Sequence, residues 1–346
     1  MNIRLFSAKI GLSTATVSRA FSGKGAIDPA TRDRVLAEAE KHNFHPNVLA
    51  QRLSTQSSGV VGLCYSFGDE PIFDYYNMEL AQEIAKAATE AGLGLQLELA
   101  SRAKGPDSKP GEQLAFLAAS KAIDSLILVA DGIQSAERAL ANMGGTPTVI
   151  ISGESWEIPP CHAQIVIDFE PGIAQAVDHL VECGHRRIGY LRGAIEGGKL
   201  AAIRKALEAH RLELVDDLVN SGSRTFDDGE RAFTEWRGRG VTAVICATDI
   251  LALGTLRAAA ASGLRVPADF SVIGIDDLAI AAHSFPTLSS VGVPRSAIAQ
   301  AAIAALRNSV DRSKRPGAAS SAHTPPPTLV PTYFIARESS APTASL

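Results

Sequence analysis

The chain has 346 residues, 46% of them hydrophobic, and a mean hydropathy of +0.08, ample for a buried core in two or three folding units. No apolar run is long enough to cross a membrane and no secretory signal opens the chain, so a cytoplasmic protein without a membrane partner is expected. The formal net charge of −4 hides an asymmetry, since residues 1–56 carry eight basic and four acidic side chains, a surplus of +4 that leaves −8 for the rest. A basic head on an acidic body suits a nucleic-acid-binding module joined to something else. Cys64, Cys161, Cys183 and Cys246 are scattered with no CxxC spacing, which argues against a disulfide or zinc framework.

Residues 1–45 read as three short helices. Asn2 can cap the first, whose inner face is Ile3, Phe6 and Ile10, and Gly11 ends it. Ser13 can cap a second, from Thr14 to about Phe21, with Val17, Ala20 and Phe21 turned inward. Asp28-Pro29 starts a third, running to about His42 and burying Val35, Leu36 and Ala39. From Gly59 the texture changes. Strands are predicted near 59–65, 93–99, 125–130, 147–151, 164–168, 187–192, 242–247 and 271–275. Helices are predicted near 77–91, 110–121, 134–143, 171–183, 198–210, 228–238, 249–262 and 295–309. That alternation predicts parallel sheets with crossover helices, arranged as two similar lobes. The stretch 313–327, rich in Ser, Ala and Pro, reads as a loop, and 339–346 as a disordered tail.

The first two helices, separated by Gly11 and Leu12, have helix-turn-helix spacing. The second presents Ser13, Thr14, Ala15, Thr16, Ser18 and Arg19 around a narrow apolar face. Small side chains let a helix approach base edges, hydroxyls hold phosphates, and arginine can bond a guanine in two places. A generic polar surface helix has the same spacing. The run Gly11–Gly23 resembles the signature of the LacI/GalR repressor family, as do Thr31–Leu36 and the hinge-like Phe44–Leu53. The resemblance implies that Thr14, Ala15 and Arg19 face bases, with Ser13, Thr16 and Ser18 toward phosphates. It implies a hinge over 46–57, in which Asn47 and Arg52 approach DNA and residues 47–53 become helical on it. There the paired Leu53 side chains of a homodimer would wedge into the minor groove; the alternative for Leu53 is a linker leucine docked on the body. The hinge departs from the family in reading Ala-Gln-Arg-Leu where Ala-Arg-Ser-Leu is usual, and Leu5 stands where aspartate is common.

The resemblance continues through Ile123–Leu128, His179–Gly189, Cys246–Gly254, Val266–Asp277 and Arg337–Ser339. It implies a two-lobed, periplasmic-binding-protein-like α/β sensor and dimerisation domain over 58–338, following the helix-turn-helix domain. Asp249 and Asp276 lie just beyond predicted strand ends, where open α/β sheets bind ligands. A carboxylate accepts two hydroxyl hydrogen bonds, so a sugar or sugar derivative is a fitting effector. A helix N-cap is an equal alternative for Asp249, whereas for Asp276 the ligand role is favoured over a cap. Lys199 stands where an effector-gripping arginine is usual, Thr248 replaces a common asparagine, and Phe169 follows Asp168 where asparagine is usual.

Gly193–Lys199 spells GxxxxGK after a strand, but Leu200 lacks the hydroxyl that binds magnesium and Glu196 opposes phosphates. An NTPase is thereby disfavoured. His42 and His45 have no further metal ligand nearby, so no metal and no cofactor is expected, and no catalytic constellation appears. The reading is a ligand-responsive repressor, not an enzyme, with a palindromic double-stranded DNA operator as partner. A sugar-binding receptor without a DNA role is the principal rival; it would lack residues 1–56.

Overall fold

The computed structural model describes all residues except 23–25, 46–56, 67–73, 100–111, 142, 159–161, 215–218, 222–224, 314–324 and 343–346. The predicted hinge, with Asn47, Arg52 and Leu53, and Cys161 lie outside the described residues. The chain divides into two compact units, Met1–Gly59 and Val60–Leu346.

The first unit holds α1 (Ile3–Ile10), α2 (Thr14–Ser22) and α3 (Pro29–Lys41). Each start is capped by a side chain that satisfies an otherwise orphaned amide. Leu5 N–H donates to Asn2 Oδ1 at 2.9 Å, Thr16 N–H to Ser13 Oγ at 3.0 Å, and Thr31 N–H to Asp28 Oδ2 at 2.9 Å. Arg34 donates to the Ile10 carbonyl at 3.1 Å, closing the far end of α1. Phe6, Ile10, Val17, Ala20, Val35, Ala39 and Phe44 form the core, with Phe6 stacked on Phe44 at 4.1 Å between ring centroids. Leu36, expected inside, is exposed, because Val35 and Ala39 already occupy the inner stripe of α3.

The second unit contains, in order, β1 (Val60–Ser66), α4 (Tyr75–Glu90), β2 (Gly94–Leu99), α5 (Glu112–Ala119), β3 (Ser125–Ala130), α6 (Ile133–Leu140), β4 (Thr148–Ser152), β5 (His162–Asp168) and α7 (Glu170–Glu182). It continues with β6 (Ile188–Arg192), α8 (Lys199–Ala209), β7 (Val219–Ser221), α9 (Phe226–Trp236), β8 (Ala243–Cys246), α10 (Asp249–Ala261) and β9 (Ser271–Asp276). A 3₁₀ turn (Ala279–His283), β10 (Ser289–Gly292), α11 (Arg295–Ser313), β11 (Thr328–Pro331) and β12 (Tyr333–Ile335) complete it. Among the described residues two six-stranded sheets result, ordered β11-β5-β4-β3-β1-β2 and β12-β10-β9-β8-β6-β7. The first is parallel throughout; the second is parallel except for β12 against β10. Strands covered on both faces read as continuous apolar runs. In β1, Leu63 and Tyr65 pack with Leu80 and Ile84 of α4, while Cys64 faces Leu114 and Leu117 of α5.

Three connections cross between the lobes. β5 leads into α7, which packs on α8 and β12 of the second sheet; β10 leads into α11, which packs on α4 and β5 of the first; β11 leads directly into β12. At one crossing, Thr332 N–H donates to the Asp168 carbonyl at 2.9 Å.

Residues 339–341, expected to begin a disordered tail, are tied down. Ser339 is fully buried, its Oγ accepting from Ser289 N–H at 2.8 Å. The backbone of Ser339 bonds Val272 and Thr287, and the Ala341 carbonyl lies 3.3 Å from Nε2 of buried His185. Small hydroxylated residues satisfied on every side can be buried where a polar composition reads as solvent-exposed.

Candidate nucleic-acid interface and ligand-binding cleft

In the first unit, burial of Val17 and Ala20 decides which face of α2 is presented. Thr14, Ala15, Ser18 and Arg19 are exposed and share that outward face, with Ser13 exposed at its start and Thr16 half-buried. Ser13 Oγ and Thr16 Oγ1 are 2.8 Å apart, so the two hydroxyls are locked together at the N-terminus of α2. A helix N-terminus offers amides and a positive dipole end to an anion. The arrangement can set an arginine, two small side chains and a hydroxyl on base edges while the helix start meets a phosphate.

In the second unit, the carboxyl ends of both sheets face one cleft of about 910 Å³, partly open to solvent. From the first lobe it is lined by Asp74 and Tyr76 at the start of α4, by Ser152 and Gly153 after β4, and by Phe169 after β5. The second lobe contributes Ile195, Gly197 and Lys199, then Thr248, Asp276 and Leu278. This is the place where open α/β sheets hold ligands.

Lys199 opens α8 and is buried. Its Nζ donates to the Ile195 carbonyl at 3.3 Å and lies 4.8 Å from the centre of the Phe169 ring. Two of the sequence departures, lysine for arginine and phenylalanine for asparagine, therefore compensate one another as a cation–π pair. The GxxxxGK loop is thus turned into the cleft, and Glu196 accepts from the Tyr190 hydroxyl at 3.1 Å.

Asp276 ends β9 with φ of 119°, followed by Asp277 at 51°. Burial pushes the Asp276 carboxyl well above its ordinary range, with Lys199 pulling the other way. No described group donates a hydrogen bond to that carboxylate. Its turn is gripped by Arg295, which bonds the Asp276 and Asp277 carbonyls at 2.5 and 2.7 Å. Glu79 of the first lobe accepts from Arg295 at 2.9 Å and from Ala279 N–H at 3.0 Å.

Thr248, not Asp249, caps α10, accepting from Leu251 N–H at 3.3 Å, and it lines the cleft as expected. Asp249 is corrected: its carboxylate faces away from the cleft, accepting from Ser290 Oγ at 2.6 Å and Leu278 N–H at 2.7 Å. The reason is the packing of β9 and β10 beneath the helix, which supplies both donors. Burial pushes Asp249 up to about 7, while those two hydrogen bonds hold it down.

Tyr76, Asp74, Ser152 and Gly153 were missed. Asp74 is signalled by its position as an N-cap, with Asn77 N–H donating to it at 2.9 Å; Tyr76 follows two residues on. His42, at the end of α3, pairs with Glu38 at 3.3 Å, and among the described residues no cluster has the makings of a metal site.

Residues 8–47 match the family model for bacterial regulatory proteins of the lacI family, and residues 177–340 match a periplasmic binding protein-like domain. The HTH-type transcriptional regulator reg1 of Streptomyces lividans is 33% identical over 325 residues, 90% of each chain. The HTH-type transcriptional regulator MalR of Streptomyces coelicolor is also 33% identical, over 327 residues and 90% of each chain. Among solved structures, a complex of the transcriptional regulator CelR with cellobiose superposes with a TM-score of 0.66 at 28% identity, covering 98% of this chain and 99% of that one. A lac repressor dimer bound to operator and the anti-inducer ONPF shares the fold, with a TM-score of 0.73 at 22% identity over 97% of this chain and 98% of that one. With one-third identity extending over nine-tenths of two curated relatives, and the head matched by the family's model, the chain belongs to the lacI family of bacterial regulatory proteins and is a DNA-binding transcriptional regulator.

Proposed function

We propose that this regulator is a cytoplasmic repressor that binds a roughly palindromic operator as a homodimer, with its DNA affinity set by a sugar or sugar derivative held in the interlobe cleft. The observation that carries the reading is the outward face of α2, where Thr14, Ala15, Ser18 and Arg19 stand together on a helix capped by Ser13. In this reading Thr14, Ala15 and Arg19 meet bases, Ser13, Thr16 and Ser18 meet phosphates, and Asn47, Arg52 and Leu53 extend the contact from the hinge. Two-fold protein symmetry is mirrored in the half-sites. Lys199, Thr248 and Asp276 serve the effector. Carboxylates beside aromatic and apolar walls suit a polyhydroxy ligand with one apolar face, and CelR, at 28% identity, is seen with cellobiose. The cleft is read as a binding site, without a catalytic step.

Selection of bound duplexes from a randomised pool, followed by fluorescence anisotropy at several salt concentrations, tests it. The selected sequences should be two-fold symmetric and affinity should fall steeply with salt, as counterions are released from each neutralised phosphate. A protein with no salt-sensitive affinity for any duplex would overturn the proposal.

A further inference from the structure

Glu79 stands in the second turn of α4, in the first lobe, yet both oxygens of its carboxylate are engaged by donors from beyond that lobe. Oε1 accepts from Ala279 N–H, at the start of the 3₁₀ turn after β9, at 3.0 Å. Oε2 lies 2.9 Å from the Arg295 guanidinium. Arg295 marks the point where β10 of the second lobe passes into α11, and the same guanidinium is anchored on the Asp276 and Asp277 carbonyls of the second lobe. The 3₁₀ turn has no side-chain cap of its own, because its N-cap position is Leu278. An orphaned amide at a helix start needs an acceptor, and here that acceptor is supplied by a side chain of the other lobe.

This contact differs in kind from the three chain crossings. A crossing joins the lobes whether they are apart or together. Glu79 reaches Ala279 only at a separation like the present one, in which a Cβ on Gly153 would come within 2.8 Å of the Gly197 Cα. The pair is also placed to contribute. Side-chain exposure is 28% for Glu79 and 15% for Arg295, so its charge-assisted bonds are partly shielded from water without full burial of either ion. We propose that Glu79 is an interlobe latch, which biases the ligand-free sensor toward closed lobes by capping a second-lobe turn and pairing with the arginine at a crossing. Glu79, Ala279 and Arg295 are not among the described residues that line the cleft. The latch therefore acts on the equilibrium between lobe arrangements, whatever the cleft holds, through contacts made in one state and lost in the other.

Amide hydrogen exchange on the full chain without ligand tests it, since exchange reports local opening segment by segment. Glu79→Ala is a change that a helix tolerates. It should speed exchange about two- to fivefold in the cleft lips, residues 152–156 and 193–199, as suits an ion pair only partly withdrawn from solvent. Glu79 bonds to neither lip, so a purely local cap would not move them. The sheet cores at 125–130 and 243–246 should keep their wild-type rates. Glu79→Gln retains an acceptor for Ala279 N–H and gives up the charge, so its lip exchange should fall between wild type and the alanine variant. Acceleration confined to residues 277–283 would reduce Glu79 to a local cap and overturn the latch. Unchanged lips, or lips and sheet cores accelerated alike, would overturn it too. If the alanine variant does not fold, the glutamine variant decides: lips faster than wild type over unchanged cores support the latch, and wild-type rates there refute it.

Discussion

Gly153 and Gly197 set how closely the two lobes can approach. Gly153 follows β4 in the first lobe, and Gly197 lies in the loop between β6 and α8 in the second. A Cβ placed on Gly153 would sit 2.8 Å from the Gly197 Cα and 2.9 Å from its carbonyl oxygen. Carbon atoms rest at about 3.5–4.0 Å, so the lips of the cleft must part by about 0.7 Å or more. Neither partner can rotate out of the way, because both are backbone. Gly197 is also held in the left-handed region at φ of 52°. Overpacking of this kind costs about 1–3 kcal/mol. In Gly153→Ala the lobes can relieve it by swinging apart about their three crossings, and the ligand must then supply the closing energy. Affinity for a sugar bound by wild type should fall about 5- to 150-fold, as measured by calorimetry. Gly145→Ala is the control, since a Cβ there meets nothing within 4 Å. If Gly153→Ala binds within about twofold of wild type, the Gly153–Gly197 contact does not govern closure and the reasoning is wrong.

Arg19→Ala should relax base preference at one position per half-site, costing about 1–3 kcal/mol on selected duplexes; equal binding to selected and random DNA would remove α2 from the groove. Asp276→Ala should weaken sugar binding by about 2–5 kcal/mol, since the carboxylate is buried where it meets the ligand; a superimposable titration would take Asp276 out of the site. Asp249→Asn retains an acceptor for Leu278 N–H and a donor for Ser290 but removes the ionisation. The wild-type carboxyl is raised in the fold from 3.8 to about 7. Its stabilising contribution is therefore complete below about 4 and is lost as pH rises to about 7. The melting temperature of the variant relative to wild type should accordingly climb across that window and level off above it; a difference that stays flat with pH would refute the assignment. Phe6→Ala removes a fully buried ring stacked on Phe44, a loss of about 3–5 kcal/mol. A head of three short helices has little more than that to lose, so DNA binding should disappear while the thermal transition of the larger unit remains. Retained DNA affinity would show that the head does not depend on this ring pair.

The head was legible because each of its helices starts on a capping residue and carries its own apolar stripe, both local properties of the chain. The alternation of apolar runs with helical patterns likewise exposed the two parallel sheets, since strands covered on both faces have few polar positions. One strand that escaped notice, β10, has its burial secured by side-chain hydrogen bonds. β10 reads Ser-Ser-Val-Gly, yet Ser289 and Ser290 are fully buried. Ser289 Oγ donates to the Arg337 carbonyl at 3.1 Å and Ser290 Oγ to Asp249 at 2.6 Å, across separations of 48 and 41 residues. β7 and β12 have three residues each, and β11 ends in proline; such segments show no period long enough to recognise. Phe169 and Lys199 were visible as individual departures, but only the fold shows that they answer one another.

Asp249 and Asp276 show why residue type and position at a strand end do not settle a role. Both are buried aspartates at or just past the end of a strand, and both could be read as ligand groups or caps. What separates them is the origin of their partners. Asp249 receives Leu278 N–H and Ser290 Oγ from the segment after β9 and from β10, and a side chain at Gly274 would collide with its Oδ1. Ser290 Oγ in turn accepts from Asp277 N–H at 3.0 Å. Asp249 therefore braces, through two donors, the turn that carries Asp276. That turn holds two non-glycine residues at positive φ, a conformation costing about 1–3 kcal/mol each. Arg295 offsets part of that cost by gripping both carbonyls, and Arg337 adds a 2.6 Å bond to the Asp277 carboxylate. With its backbone held this firmly and its carboxylate bonded by none of the described residues, Asp276 is the one of the two whose hydrogen-bonding capacity remains for a ligand.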